Sequence, residues 1–398
     1  MWSGRHVVLG VSGGIASYKS CILARRLAEQ GARVDVILTE GAAEFVRPLT
    51  FEALTARPVL TSLWQPGAAL EHVRLAQNAD LIIVAPATAH LLARVAQGLG
   101  DDLLTTLLLA ATRPVLLAPA MNDAMYANSA TQDNLARLRA RGFAVVGPEV
   151  GALAEGPSER PGRMSEPDTI LAYAARLVSR GSKLAGRRVV VSAGPTREAL
   201  DPVRVITNRS SGKMGYRLAE VAWQRGAEVV LVSGPSTEPA PHGVTMRRVE
   251  STREMKDAIA AELSAADVLI MAAAPADYRP AARADAKQPR ASGAISLALE
   301  PTEDILLDTV AHRKAGAVMV GFALETGDAV SKGRAKLAKK KLDLIVVNDA
   351  LERGAAFEVD TNKVTILDKD GGSTAVPLQS KERVAHAILD AIEARLGR

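Results

Sequence analysis

Apolar runs that end in a cluster of small residues and open directly into a helical pattern recur along this chain, and that rhythm constrains its fold more than any other feature. "HVVLGVSGG" leads into "IASYKSCILARRLAEQGA" and then "RVDVILT", a strand–loop–helix–strand unit. "ADLIIVAPAT", a helix expected from about Ala89 to Ala111, "RPVLLAPAMN" and "FAVVGP" continue it. Strands apolar on both faces, alternating with helices, call for a parallel sheet covered on both sides. The expected class is α/β.

After a helix expected over Pro167 to Ser179, "SRGSKLAGR" carries no apolar pattern, and the rhythm then restarts. "RRVVVSAGPTRE", a helix from Lys213 to Gly226, "AEVVLVSGP", a helix from Thr252 to Ala265, "ADVLIMAAAPADY", "AVMVGFALE" and "LDLIVVND" outline a second parallel domain. "FEVDTNKVTILDKDGGSTAVPL" reads as a β-hairpin around Asp-Gly-Gly, and Lys381 to Leu396 as an amphipathic helix. "RLAEQGARVDVILTE" and "RLAEVAWQRGAEVVLVSGP" echo each other without a fixed period, so one unit is used twice rather than stacked as a solenoid. The expected boundaries are 1–180 and 188–398, joined by a linker at 181–187.

Composition narrows the chemistry. At 398 residues with 48% hydrophobic and 23% charged, the chain suits two cored domains rather than disorder. Its apolar tract "LLTTLLLAATRPVLLAPAM" is interrupted by Arg113 and Pro114, short of the roughly 20 residues that span a bilayer. The N-terminus passes from a strand straight into glycines, so the expected location is the cytoplasm, with no membrane partner. A net charge of +5 and 3% aromatic residues give little material for a nucleic-acid groove, and favour small anions. Cys21 is the only cysteine, which excludes intrachain disulfides and cysteine-rich zinc sites.

In a doubly wound sheet, ligands sit beyond the carboxyl ends of the strands. There "GVSGGIAS" offers Ser12, Gly13 and Gly14 at a helix start, where backbone amides suit a phosphate; the same turn also reads as a plain tight turn. G-x-G-x-x-G is absent, which counts against a simple NAD fingerprint. Thr39, Thr88 and Asn122 add hydroxyls and an amide at three further strand ends, a set suited to a flavin mononucleotide and a polar substrate. His72, expected just before a strand, reads by itself as a surface or structural histidine.

In order, "GVSGGIASYK", His72, "APATA", "PAMNDAMY" and "PGRM" resemble the flavin-dependent phosphopantothenoylcysteine decarboxylase family over about Arg5 to Leu177. The resemblance implies His72 and Asn122 as the catalytic pair. It also implies FMN held by Ser12, Gly13, Gly14, Ile15, Thr39, Thr88 and Thr105, with Met125 and Arg163 on the substrate.

"SAGPTREALDPVRVITNRSSGKMG" packs Gly194, Thr196, Arg204, Asn208, Ser210, Ser211 and Lys213 between a strand and a helix, a pattern for phosphate or carboxylate recognition with the wrong spacing for a Walker A loop. Lys336 and Lys340 share a helix face, which alone reads as a solvated face. With "AAAPADYRP", Lys287, "GFALET" and "KKKLDLIVVND", the order is similar to that of phosphopantothenate–cysteine ligases, over about Arg187 to Arg398.

Both halves together resemble the bifunctional coenzyme A biosynthesis proteins of bacteria. That likeness implies two doubly wound domains, a flavodoxin-like or Rossmann-like FMN domain and a Rossmann-like ligase domain. It implies a ligase that activates 4'-phosphopantothenate with CTP as an acyl-cytidylate and couples it to L-cysteine, with Mg2+ or Mn2+ at ligands the sequence does not identify. Asn208 and Lys287 are then catalytic; Arg204, Ser211, Gly212 and Lys213 meet the substrate; Ala273, Asp277, Lys287, Asp304, Ile305, Phe322, Lys336 and Lys340 meet the nucleotide. Lys287 lies in "DAKQPRASG", where the family has a lysine-rich cluster and this chain has Gln288, Pro289 and Arg290. A homo-oligomer with trimeric decarboxylase and dimeric ligase contacts is also implied.

Loss of CO2 from a cysteinyl carboxyl leaves a carbanion with no electron sink, so the family first oxidises the thiol with FMN and later reduces the ene-thiol, which needs a proton donor. In many relatives that donor is a flap cysteine in A-C-G; "GALAEGPSERPGRM" has Glu155 there, and Cys21 lies away in the first helix. Three readings follow: Glu155 is the acid, kept protonated by burial under a closed lid; water supplies the proton; or Glu155 is a polar lid residue. At the level of function, the alternative is a working ligase whose first half only binds FMN, as a regulatory or scaffold module, or stops at the ene-thiol.

Overall fold

A computed structural model describes residues 1–64, 70–287, 296–325, 327–349 and 359–397. They form two compact units, Met1–Val178 and Ser179–Arg398.

The first unit runs β1 (His6–Val11), α1 (Ser17–Glu29), β2 (Arg33–Leu38), α2 (Glu40–Ala43), α3 (Pro48–Thr55), β3 (Val59–Leu60), α4 (Glu71–Asn78) and β4 (Leu81–Ala87). It continues through α5 (Ala89–Gln97), α6 (Leu103–Leu109), β5 (Val115–Pro119), α7 (Asp123–Ala127), α8 (Ser129–Ala140), β6 (Ala144–Val145), β7 (Glu149–Val150), β8 (Pro161–Arg163) and α9 (Pro167–Val178). Six strands form a parallel sheet in the order β3-β2-β1-β4-β5-β6. Val7, Leu9 and Val11 of β1 pack into one core cluster with Leu23, Leu27 and Ile170, whereas Val8 packs into the other with Leu91, Leu104 and Leu135. Both faces are covered, which is why these strands are mainly apolar on both, with His6 in β1 and Arg33 and Asp35 in β2 as polar exceptions.

Two expectations are corrected here. The helix expected over Ala89 to Ala111 is two helices: Gly98 ends α5 in the left-handed region at φ 75°, and Asp102 starts α6 through a capping box with Thr105. His72 is not simply before a strand but within α4.

The second unit runs β9 (Arg188–Ala193), β10 (Arg197–Ala199), β11 (Val205–Thr207), α10 (Lys213–Gln224), β12 (Glu228–Ser233), β13 (Thr245–Arg248), α11 (Thr252–Leu263), β14 (Val268–Met271), β15 (Tyr278–Pro280) and β16 (Leu299–Pro301). It ends with α12 (Ile305–Asp308), β17 (Val318–Glu325), α13 (Ala329–Lys339), β18 (Leu344–Asp349), β19 (Thr361–Asp368), β20 (Ser373–Ser380) and α14 (Lys381–Glu393). Its main sheet has the order β13-β12-β9-β14-β17-β18-β19-β20, parallel as far as β18 and antiparallel beyond. The hairpin β19–β20 turns where Asp368 Oδ1 accepts the backbone N–H groups of Asp370 (2.8 Å) and Gly372 (2.9 Å). Residues 357–358, at the start of the expected hairpin segment, lie outside the described residues. Among the described residues, no helix is long and apolar enough to cross a membrane.

Candidate active site

The carboxyl ends of β1, β2, β4 and β5 open onto a cavity of about 970 Å³. Ser12, Gly13, Gly14, Ile15, Thr39, Thr88, Asn122, Met125, Glu155 and Arg163 all line it. Their first duty is local. Ser12 Oγ donates to Pro86 O (2.8 Å) and accepts from Thr88 N (3.1 Å), stitching the ends of β1 and β4 where the strand order reverses. Thr39, Thr88 and Asn122 are the N-caps of α2, α5 and α7, taking backbone N–H groups on their side-chain oxygens. The glycine turn is compact: a Cβ on Gly13 would lie 2.7 Å from the Gly41 carbonyl carbon.

Asn122 is the most constrained of these. Its Oδ1 accepts from Ala124 N (2.8 Å) and Met125 N (3.4 Å), which turns its Nδ2 toward the flap, where it donates to Glu155 Oε1. A second flap contact runs from Ser158 Oγ to Asp123 Oδ2 (2.6 Å), and it holds the Asp123 carboxyl below its ordinary pKa. The Glu155 side chain is exposed, so the single chain does not supply the burial that the proton-donor reading asks for.

Two expected residues lie off this lining. Thr105 is buried, and its hydroxyl donates to Asp102 Oδ1 (2.8 Å). Asp102 in turn pairs with Arg94, which does face the cavity. His72 is half-buried on α4 outside the lining, and its Nδ1 is buried without a hydrogen-bond partner among the described residues. One residue that the sequence reading missed stands in the cavity wall. Lys19, 5% exposed, donates from Nζ to Met164 O (3.0 Å) and Glu166 Oε1 (2.9 Å), and Arg163 pairs with the same carboxylate. The bond from Lys19 is the chief reason that the Glu166 carboxyl is held below its ordinary pKa. A lysine on the buried side of a helix that follows a ligand loop was the available signal.

In the second unit, three glycine turns touch. A Cβ on Gly212 (φ +83°) would lie 3.2 Å from Gly194 N and 3.2 Å from Ser236 Oγ, and one on Gly234 would lie 1.7 Å from Pro195 O. The ends of β9 and β12 therefore meet the start of α10, with Ser211 O accepting from Ser236 Oγ (2.7 Å). Asn208 Nδ2 reaches across to Ala274 O (3.2 Å) and Pro275 O (2.9 Å) beyond β14, while Ala273 N donates to Ser192 Oγ (3.1 Å). Four of the expected cations are paired: Arg204 with buried Asp201, Lys213 with Asp360 (2.6 Å), Lys336 with Glu325 (2.5 Å) and Lys340 with Asp304 (3.1 Å). The Asp360 hydrogen bond raises the Lys213 pKa. Ile305 is buried on α12, Phe322 is half-buried on β17, and Asp277 and Lys287 are exposed. Gln288, Pro289 and Arg290 lie outside the described residues. Among the described residues, no group of three or more His, Cys, Asp or Glu side chains could hold a metal ion.

Residues 1–179 match the family described as "Flavoprotein", and residues 184–396 match "DNA/pantothenate metabolism flavoprotein C-terminal domain". The coenzyme A biosynthesis bifunctional protein CoaBC of Vibrio vulnificus (strain YJ016) is 46% identical over 99% of this chain and 99% of its own. The corresponding proteins of Bacillus subtilis (strain 168; 45%, covering 99% and 98%) and Mycobacterium tuberculosis (strain H37Rv; 47%, covering 98% and 96%) are similar along the same length. The chain belongs to the bifunctional coenzyme A biosynthesis protein family.

A solved C-terminal domain from a protein of this family is 42% identical and covers 54% of this chain and 97% of that one, with a TM-score of 0.46. Within this family member, the contact of Gly234 with the Pro195 carbonyl gives a direct test of the second site. Gly234→Ala is expected to destabilise the second unit by about 1–3 kcal/mol or more, since the added carbon meets backbone that cannot rotate away. Calorimetry on the full chain checks it; an unchanged thermal profile would refute the close approach.

Proposed function

We propose that the second unit ligates 4'-phosphopantothenate to L-cysteine through an acyl-cytidylate made with CTP and a divalent metal, Mg2+ or Mn2+. The first unit then converts 4'-phosphopantothenoylcysteine into 4'-phosphopantetheine with FMN. The observation that carries this is identity of 45–47% along essentially the whole chain with bifunctional coenzyme A biosynthesis proteins.

The first cavity fits a flavin mononucleotide. Its volume of about 970 Å³ is at the upper end of the roughly 300–1,000 Å³ usual for cofactor sites. It combines a turn too tight for a side chain at Gly13, suited to a phosphate, with the hydroxyls of Ser12, Thr39 and Thr88 and apolar walls from Leu91, Met121 and Leu104. The flavin, when bound, supplies the oxidation and the later reduction that this decarboxylation needs. Asn122 binds the substrate carboxylate through Nδ2, its orientation set by the α7 cap. Met125 and Arg163 contact the rest of the substrate, and Glu155 on the flap is the candidate acid.

In the ligase, the loops at Arg204, Asn208 and Ser211–Lys213 would hold the acyl group, and Lys287, Lys336 and Lys340 the nucleotide. Charge growing on departing pyrophosphate is what lysines and a metal stabilise. The full-length protein given 4'-phosphopantothenate, L-cysteine, CTP and Mg2+ should yield 4'-phosphopantetheine and CO2. Accumulation of 4'-phosphopantothenoylcysteine without CO2 would leave only the ligase.

His72 acts, on this reading, in a homo-oligomer with trimeric contacts in the first unit and dimeric contacts in the second. Its position off its own chain's cavity lining and its Nδ1, without a partner among the described residues, support completion by a neighbouring chain. His72→Ala should abolish CO2 release yet leave pyrophosphate release intact. Mixed oligomers of His72→Ala and Asn122→Ala chains should regain part of the CO2 release; none at all would argue that His72 serves its own chain.

A further inference from the structure

The donor on Asn122 that a substrate carboxylate needs is already taken by a carboxylate of the same chain. Nδ2 donates to Glu155 Oε1, while Oδ1 is committed to Ala124 N (2.8 Å) and Met125 N (3.4 Å). Rotating the amide would turn its NH2 against two N–H donors, so Asn122 offers the cavity one group only, a donor. The flap is shaped to deliver Glu155 to it. Leu153 N donates to Gly156 O (2.8 Å) and Gly156 N to Leu153 O (3.2 Å), which puts Glu155 in the tip of a tight turn. Ser158 and Asp123 pin the flap a short way further on. The adjacent cation of the wall, Arg163, is paired with Glu166, which also takes Lys19.

We propose that Glu155 is a specificity-determining residue that shares one subsite with the substrate carboxylate: it occupies Asn122 Nδ2 in the empty site, yields it to a carboxylated ligand, and refills it once that carboxylate is gone. The proposal rests on the reading of Asn122 as the substrate-carboxylate contact. The NH2 of Asn122 has two N–H bonds on one nitrogen, so two carboxylates accepting from it lie close together and repel, and a carboxylated ligand competes with Glu155. A ligand without that carboxylate leaves the space free, and Glu155 remains in place beside it. The apparent affinity of a competing ligand is reduced by the fraction of sites in which the subsite is closed, whereas that of a non-competing ligand is not. Glu155 therefore penalises carboxylated ligands selectively, and its return after decarboxylation brings the flap back over the position the CO2 has left.

The test uses two ligands differing only in the carboxylate and unable to react, because oxygen replaces the thiol sulfur: the serine analogue of 4'-phosphopantothenoylcysteine and its decarboxylated ethanolamine counterpart. Binding to the full-length, flavin-loaded protein is measured by calorimetric titration. Glu155→Ala is expected to tighten the carboxylated ligand by about tenfold and to leave the decarboxylated one within about twofold. Glu155→Gln, which keeps an acceptor but not the charge, should fall between and covers a failure of the alanine variant to fold. An unchanged affinity for the carboxylated ligand, or an equal shift for both, overturns the proposal. Asn122→Ala separates the two layers. If it weakens only the carboxylated ligand while Glu155→Ala has no effect, the shared subsite fails and the reading of Asn122 stands. If it affects neither ligand, both fail.

Discussion

Asn122→Asp is expected to slow CO2 release from 4'-phosphopantothenoylcysteine by at least about 100-fold while pyrophosphate release continues at its normal rate. The substitution separates two jobs done by one side chain. Aspartate retains an oxygen to accept from Ala124 N and Met125 N, so the start of α7 stays capped. What changes is the other end of the group, where a donor becomes a negative oxygen facing Glu155 and, on the proposed function, the substrate carboxylate. Losing a hydrogen bond to a charged group costs about 1.5–3 kcal/mol, and placing like charges together adds several kcal/mol more. At about 1.4 kcal/mol per tenfold, the donor loss alone accounts for about one to two orders of magnitude.

Asn122→Ala provides the contrast. It removes donor and cap together and should therefore also lower thermal stability, by about 0.5–2 kcal/mol, which Asn122→Asp should largely spare. Product formation followed by mass, with calorimetric midpoints for both variants, measures the two effects separately. Aspartate activity within tenfold of the parent would mean that Nδ2 does not hold the reacting carboxylate.

Much of this was legible because each αβ element advertises itself locally. β1, β4, β9 and β12 carry apolar runs that end in or are followed by Ser, Gly or Thr; the first sheet sets the ends of β1 and β4 side by side, and the second those of β9 and β12. The cavity residues Thr39, Thr88 and Asn122 were visible for a second reason: they are helix N-caps, and caps favour the same short polar side chains that ligands use. Long-range pairing was not legible. Nothing local to Lys19 indicates Met164 and Glu166 as its partners, and nothing in "ALAEGP" indicates that Glu155 lies on Asn122. The split between α5 and α6 was available in Gly98 and Asp102 but was hidden by the apolar residues on either side. His72 shows the opposite limit. Its motif singles it out, yet its position within one chain leaves it beside the cavity rather than in its lining.

The largest stability effect expected in the first unit lies at the opposite end of β1 from the cavity. Asp35 on β2 is 6% exposed, and its two oxygens accept from His6 Nε2 (2.6 Å) and Arg57 Nε (2.6 Å). His6 also bonds Asn78 O through Nδ1 (3.2 Å), so the cluster ties β1 and β2 to the end of the helix that carries His72. Burial alone would raise the Asp35 pKa, but the hydrogen bonds from His6 and Arg57, with their charges, outweigh it and bring the pKa from 3.8 to about 2. Because the folded pKa is the lower one, the carboxylate's stabilisation is complete above about 3.8 and is lost as pH falls from there through about 2. Asp35→Ala leaves His6 and Arg57 facing a vacated site, and breaking such a pair costs about 3–5 kcal/mol. Calorimetry at neutral pH should show one transition of the full chain moving sharply down. Between pH 4 and 2 the parent should lose stability toward the variant, as its advantage titrates away. A variant within about 1 kcal/mol of the parent at neutral pH, or a gap that stays constant down to pH 2, would show that this cluster does not hold the sheet together.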